Sequence, residues 1–254
     1  MTARDGQERI AKVLAQRGLC SRREAERLVV AGSVLVDGEA ITDPGRRIAI
    51  NAEIIVAEAG RKRLDRRVTV LFNKPRGIVS TQPEGKQIPA WSLLTPQRCA
   101  DAEPDPTVLA EPWHCAACGR LDQDSRGLLV LSQDGALARL ITGSHQWSKE
   151  YLVTVNVELD PRQLNALRKL RALDSKPILP MQVEPVGERQ LRFVLREGRK
   201  HQIRRSCSFV GLTVVDLLRE RVGPWNLDGL DEGRWRVVPR TEVETILTTD
   251  DAEY

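Results

Sequence analysis

Two clusters of basic residues hold the first chemical information in this chain of 254 residues. Between Glu8 and Arg27 lie Arg9, Lys12, Arg17, Arg22, Arg23 and Arg27. A second cluster, Arg196, Arg199, Lys200, Arg204 and Arg205, is opposed only by Glu197. Two separated basic patches suit a polyanion that touches one protein in two places, with a pair of solvated helix faces as the plain alternative. In the first cluster, Ser21-Arg22-Arg23-Glu24 has the form of a capping box, so Arg22, Arg23 and Arg27 stand beside a helix N-terminus. Backbone amides and guanidinium groups there make a natural phosphate-binding surface.

A third arrangement, Cys115-Ala116-Ala117-Cys118, invites a zinc or redox reading. Zinc needs two further ligands, and only Cys99, His114 and more distant residues offer them. A redox pair ordinarily precedes a helix, whereas this one runs into Gly119-Arg120-Leu121-Asp122. The pair therefore reads as two buried small thiols, with no metal and no cofactor. Five cysteines, an odd number with no framework spacing, point to a reducing compartment. The net charge is +4 and the hydrophobic share 41%, enough for a sizeable core. No apolar run reaches the ~18–20 residues of a membrane-spanning helix, and no charged-then-apolar leader opens the sequence. A cytoplasmic, membrane-free protein is expected.

The elements that must position these residues follow from periodicity and turn chemistry. Glu8 to Gly18 reads as an amphipathic helix with Ile10, Val13 and Leu14 on one face. A second helix from Ser21 buries Ala25, Leu28 and Val29 and stops near Gly32. Val34 to Val36, an Asp37-Gly38 turn and Ala40-Ile41 form a hairpin signal. Arg46 to Ile50 and Glu53 to Val56 are further short strands. Gly60 to Arg67 is charged and reads as a linker. Beyond it, strands are expected at Val68 to Phe72, Leu128 to Leu131, Tyr151 to Val157, Leu191 to Leu195 and Trp235 to Val238. Helices are expected at Ala136 to Thr142, Pro161 to Leu170 and His201 to Val210. Pro83 to Pro112, rich in proline, reads as a long surface loop. The mixture is α+β.

The run "LAQRGLCSRREAERLVVAGSVLVDG" resembles the S4 RNA-binding domain. That resemblance makes Arg9, Lys12, Ser21, Arg22, Arg23 and Arg27 the RNA phosphate contacts. Four further segments occur in order: "LFNKPRGIVST" (Leu71 to Thr81), "GRLDQDSRGLLVLSQDG" (Gly119 to Gly135), "KEYLVTV" (Lys149 to Val155) and "REGRKHQIRRSC" (Arg196 to Cys207). Together with the S4 module they resemble the RsuA/RluB/RluE/RluF family of pseudouridine synthases, nearest the RluF-like branch, over almost the whole chain. The resemblance implies an S4 domain at 1–58, a linker at 59–67 and a catalytic domain at 68–254 built on a mixed, mainly antiparallel sheet. It implies a monomeric isomerase that flips a uridine out of structured RNA, most readily large-subunit (23S) ribosomal RNA.

The same resemblance distributes the roles. Asp122 is the catalytic carboxylate, Arg204 its charged partner, Tyr151 the aromatic against the target base, and Ile203 the apolar residue on the base's other side. Beside the resemblance, Arg120, two residues before Asp122, is a candidate to fill the vacated space or hold flanking phosphates. Lys74, Arg76, Arg199 and Lys200 are candidate RNA backbone contacts and Arg205, which should point away from Arg204, a candidate phosphate contact, with plain solvated surface charges as the equal alternative. Without the motif, an Asp after Gly-Arg-Leu would read as a helix cap and Tyr151 as a core aromatic. Two rivals stay open: the same chemistry on transfer RNA, and a non-catalytic RNA-binding or ribosome-assembly factor that would tolerate loss of Asp122, Tyr151 or Arg204.

Overall fold

A computed structural model describes residues 6–143 and 147–251, which fall into two compact units. Tyr254, the other tyrosine besides Tyr151, lies outside the described residues.

The first unit runs through Val68 and takes in residues 133–137 and the chain from Arg240 onward. It begins with β1 (Gln7–Arg9), α1 (Ile10–Gln16) and α2 (Arg22–Val30). The first helix starts later than its apolar pattern suggests, because Glu8 and Arg9 pair with Ile48 and Arg47 as a strand. Ile10, Val13 and Leu14 bury against Ala25, Leu28 and Val29, the two faces expected from spacing. The Ser21 hydroxyl accepts from the Glu24 amide at 3.2 Å, and the Glu24 carboxylate accepts from the Ser21 amide at 2.8 Å. That completes the capping box. Next come β2 (Val34–Val36), β3 (Glu39–Ile41), β4 (Arg47–Ala49) and β5 (Ile54–Val56). Asp37 and Gly38 both have positive φ, 50° and 84°, as a two-residue hairpin turn of type I′ requires.

The charged stretch expected as a linker is mostly helical, forming α3 (Glu58–Asp65). Its Lys62–Glu58 pair lies one turn apart, a spacing that supports a helix of low apolar content. Arg67 then reaches Glu24 at 3.6 Å and Asp134 at 3.5 Å, while Arg240 meets Asp134 at 2.7 Å. Burial alone would raise the Asp134 carboxyl, but Arg67 and Arg240 outweigh it and hold it below its ordinary range.

The second unit is built on one sheet. Its elements are β6 (Thr69–Lys74), β7 (Ile78–Val79), β8 (Ile88–Pro89), α4 (Pro106–Ala110), β9 (Ala116–Ala117) and β10 (Arg126–Ser132). After α5 (Gly135–Gly143) follow β11 (Lys149–Val155), α6 (Pro161–Lys169), β12 (Ala172–Leu173), β13 (Lys176–Pro177) and β14 (Gln182–Gly187). The chain continues through β15 (Gln190–Leu195), α7 (Gln202–Phe209), β16 (Val214–Val222), β17 (Trp225–Asn226) and β18 (Trp235–Val238). The strand order is β14-β15-β11-β16-β10-β6-β18, with β17 and β9 as short side partners. Only β10 and β16 run parallel within this sheet, so it is mixed and mainly antiparallel. β6 is buried along its whole length, so it is covered on both faces, whereas β15 alternates buried and exposed residues. The proline-rich segment after Pro83 is more ordered than a plain loop: 3-10 turns form at Ala90–Leu93, Pro96–Arg98 and Pro112–His114.

Gly127 fixes how the parallel pair meets. Its φ is +107°, and a Cβ there would lie 2.3 Å from the carbonyl oxygen of Arg219. Only glycine lets β10 approach β16 this closely, directly after the turn that carries Asp122.

Candidate active site

A cavity of about 430 Å³ opens in the second unit and is lined by Arg120, Asp122, Tyr151, Ile203 and Arg204, with Thr81, Lys200 and His201 among its other walls. The geometry of Asp122 is set by its neighbours. The Ser80 hydroxyl accepts from the Leu121 amide at 2.9 Å and donates to the Leu121 carbonyl at 2.6 Å, clamping the residue before the carboxylate. The Ser125 amide donates to the Asp122 carbonyl at 3.1 Å, closing a tight turn. Gly77 and Gln123 exchange two further bonds, of 2.8 and 3.1 Å, which tie this turn to the segment after β6. The Asp122 carboxylate is thus held by backbone restraint on both sides and left partly open to the cavity.

Tyr151 enters from β11, opposite Phe193 of β15 and Arg219 of β16. A register shift between Glu150 and Tyr151 marks a bulge in the β11–β16 pairing, a device that re-aims a side chain. Tyr151 is buried except for 9% of its surface, and Ile203, near the start of α7, for 5%. Leu195 and Leu217 complete the apolar part of the wall. The Asp122 carboxylate, the Tyr151 phenol and the aliphatic side chains of Leu195, Ile203 and Leu217 therefore share one cavity, roomy enough for a small ligand.

The expected pairing of Arg204 with Asp122 is corrected by the geometry. The Arg204 Nη2 meets the Asp124 carboxylate at 3.0 Å, the Asp124 carbonyl at 3.3 Å and the Ser125 hydroxyl at 3.2 Å. It grips the turn just past Asp122 rather than the carboxylate itself. The basic side chain beside the carboxylate among the described residues is His201, whose Nε2 lies 3.4 Å from Asp122 Oδ1. His201 has φ of 54°, an uncommon left-handed conformation, at the residue that precedes α7.

Lys74 is also corrected. Its side chain is fully buried, with Nζ bonded to the carbonyls of Pro75 and Ile78 at 2.9 and 2.8 Å, so it is no surface contact for an RNA backbone. Burial pushes its amine down to about 8, partly opposed by Asp124 and Asp122. Lys149 is likewise lowered to about 8 by burial. Arg219, also buried, donates from Nε to the Leu128 carbonyl at 2.7 Å and from Nη1 to the Arg120 carbonyl at 3.4 Å, bracing the Gly119-to-Asp122 segment from inside. Its Nη2 is buried without a hydrogen-bond partner among the described residues.

The other candidates divide between exposed and committed. Arg120 and Lys200 are exposed at the cavity. Arg199 pairs with Glu197 at 3.2 Å. Arg205 points away from the cavity to Asp174, as alternation along a helix anticipates. Arg76 is bound to Asp216 at 2.5 Å, beside the Arg126–Asp216 pair. In the first unit, Arg9, Arg22 and Arg23 are exposed, Lys12 pairs with Glu8, Arg27 bonds the Arg23 carbonyl, and Ser21 is occupied by the cap. Sequence reasoning missed Ser80, Asp124, His201 and Arg219. Of these, Ser80, Asp124 and His201 lie inside the recognised motifs, His201 being one of only three histidines in the sequence, whereas Arg219 carried no such signal. Cys115 and Cys118 are buried, as expected, and no metal-binding cluster occurs among the described residues.

Residues 68–209 match the model of the RNA pseudouridylate synthase family, and residues 8–54 match that of the S4 domain. A solved structure titled a pseudouridylate synthase shares the fold, with a TM-score of 0.62 and 23% identity, over 93% of this chain and 98% of its own. The chain belongs to the RNA pseudouridine synthase family and is an isomerase of that class. Within it, the S4 module places the chain in the RsuA/RluB/RluE/RluF group. An uncharacterized RNA pseudouridine synthase of Mycobacterium tuberculosis is 34% identical over 92% of this chain and 91% of its own length. The dual-specificity RNA pseudouridine synthase RluF of Escherichia coli is 28% identical over 91% of this chain and 76% of its own. A chloroplastic protein of Arabidopsis thaliana, described as a putative ribosomal large subunit pseudouridine synthase, is 31% identical over 87% of this chain and 55% of its own. The S4 domain makes this an RNA-binding enzyme. Among the described residues no helix is long and apolar enough to cross a membrane.

Proposed function

We propose that this enzyme converts a specific uridine of large-subunit ribosomal RNA to pseudouridine in the cytoplasm, with Asp122 as its catalytic carboxylate. The observation that carries the reading is the convergence of Asp122, Tyr151 and Ile203 on one cavity in an RNA-binding chain. The reaction breaks the N1–C1′ bond and joins C5 to C1′. The C5 proton leaves, N1 gains one, and no net oxidation occurs. A carboxylate serves this chemistry as nucleophile or base without a cofactor. A stacked uracil must first leave its helix, and a pocket with Tyr151 on one side and Ile203 on the other receives a flat base. Arg120, exposed at the rim, fills the space that the base vacates or holds flanking phosphate. Arg204 acts as a positioning residue through Asp124 and Ser125. Arg199, Lys200 and the exposed S4 arginines supply phosphate contacts.

The names of the relatives favour ribosomal RNA as substrate, and the dual-specificity relative keeps transfer RNA as the second reading. Carbodiimide mapping of pseudouridine in total RNA, with and without the gene, separates them. A site lost from large-subunit RNA supports the proposal. A change confined to transfer RNA or to the small subunit overturns its substrate half.

A further inference from the structure

A second concavity, of about 790 Å³, lies on the other side of α7 from the cavity just described and is lined by residues that the reaction does not use. α7 divides its side chains between the two. Ile203 and Arg204 line the catalytic cavity, whereas Arg205, Ser208 and Phe209 line the groove. The five-residue step from Arg204 to Phe209 turns the helix by about 140° at 3.6 residues per turn. The opposite wall is the end of α6 with the β12–β13 hairpin, contributing Lys169, Arg171 and Asp174.

Two features of this groove point to one kind of ligand. Phe209 is 69% exposed, a large apolar ring held in solvent at the end of a helix whose other members are mostly buried. Around it stand three cations, Lys169, Arg171 and Arg205, against one carboxylate, Asp174. Arg205 neutralises Asp174, while Lys169 and Arg171 have no carboxylate partner among the described residues. The Arg171 guanidinium is steadied by the carbonyls of Arg168 and Leu170, both at 2.8 Å. An exposed aromatic face beside uncompensated cations matches the base and phosphate of an unpaired nucleotide, because a base inside a duplex hides its face. The volume is within the ordinary range for a small-ligand site of ~300–1,000 Å³.

We propose that this groove binds an unpaired nucleotide of the RNA substrate, its base stacked on Phe209 and its phosphates held by Lys169 and Arg171. The inference rests on the RNA-modifying reading of the catalytic cavity and adds a second anchoring point. A nucleotide near the target, displaced when the RNA opens, would be captured across α7 from the flipped uridine. Binding there adds affinity for RNA with a flexible neighbour and leaves the chemical step alone. Substrates that offer a bare helix around the target would lack this contact.

The test uses the full-length enzyme and a short oligouridylate carrying 5-iodouridine, whose photochemical cross-links report stacked aromatics. The proposal expects an adduct on Phe209, lost in Phe209→Leu. It also expects affinity for the oligouridylate about tenfold weaker in Phe209→Ala and restored in Phe209→Trp. Lys169→Ala/Arg171→Ala weakens binding and flattens its salt dependence. On a modified RNA, Phe209→Ala raises KM and leaves kcat unchanged. Unaltered oligouridylate affinity and KM in Phe209→Ala, with no adduct at that residue, overturns the proposal and leaves the groove to a protein partner. Failure of the wild type to modify any uridine would instead count against the catalytic reading, since the cross-link judges the groove independently. Phe209 is exposed, so its variants are expected to fold.

Discussion

The imidazole Nε2 of His201 lies 3.4 Å from the Asp122 carboxylate, while Arg204 bonds the turn beyond it and the Val214 carbonyl. Two side chains thus divide the work: the imidazole faces the carboxylate and the guanidinium fixes the loop that carries it. His201→Ala is expected to lower kcat about tenfold, ~1.4 kcal/mol of transition-state stabilisation, with little change in KM. Gln at this position keeps a donor and should recover part of the loss. Equal rates for all three proteins would show that the imidazole does nothing for the carboxylate.

Arg204→Ala should lower kcat about a hundredfold, because it frees a turn whose placement decides where the carboxylate sits. Its effect on stability should be small, since Asp124 is 66% exposed and an ion pair so hydrated contributes little. Arg204→Lys should rescue poorly, as an ammonium cannot span the four acceptors that the guanidinium reaches, the Val214 carbonyl included. Asp124→Ala distinguishes this account from direct pairing with Asp122. It should cost several-fold in kcat here, and a silent Asp124→Ala would favour direct pairing.

Much of this arrangement was legible before any coordinates, and the failures share a cause. The capping box at Ser21, the Asp37-Gly38 hairpin and the strand at Trp235 to Val238 depend on local chemistry, so sequence identifies them. β16 was not foreseen, although it is the central strand of the seven. Its Arg219-Glu220-Arg221 run reads as surface, yet Arg219 is buried against the backbone of Leu128. Lys74 was misplaced for the same reason: a lysine reads as exposed unless one knows that carbonyls wait for it inside. The partner of Arg204 depends on the path of a turn across 80 residues of sequence, which spacing does not encode.

The buried amines give the enzyme a pH signature. Lys74 has an ordinary value of 10.5 and is lowered by burial to about 8. Between about pH 8 and 10.5 the unfolded chain holds that proton and the folded chain does not, so stability rises with pH in this window. Below it both states are charged and the burial penalty is fully present. Lys149 acts in the same direction. The Cys207 thiol, raised by burial from 9.0 to about 12, acts oppositely above about pH 9. The lysine effect is therefore cleanest between about pH 8 and pH 9. Urea midpoints should rise across that interval, less steeply in Lys74→Met. Parallel slopes for variant and wild type would remove Lys74 as a source.

In the S4 domain, Arg22 and Arg23 are exposed beside a helix N-terminus and make no ion pair among the described residues. Arg22→Ala/Arg23→Ala should weaken binding to structured RNA and reduce the slope of log K against log salt by about 2, leaving kcat at saturating RNA unchanged. Point variants are preferable to truncation, because the compact unit that holds these arginines also includes residues 133–137 and the chain beyond Arg240. An unchanged salt slope would move the phosphate contacts elsewhere.

The central claim is that Asp122 performs the isomerisation in this cavity. Because C5 exchanges its hydrogen for a bond to C1′, RNA transcribed with [5-³H]uridine releases tritium at each turnover. Purified wild-type enzyme should release tritium from ribosomal RNA, and Asp122→Asn should bind the same RNA with similar affinity and release none above background. Release by the Asn variant at a rate near that of the wild type would contradict the account.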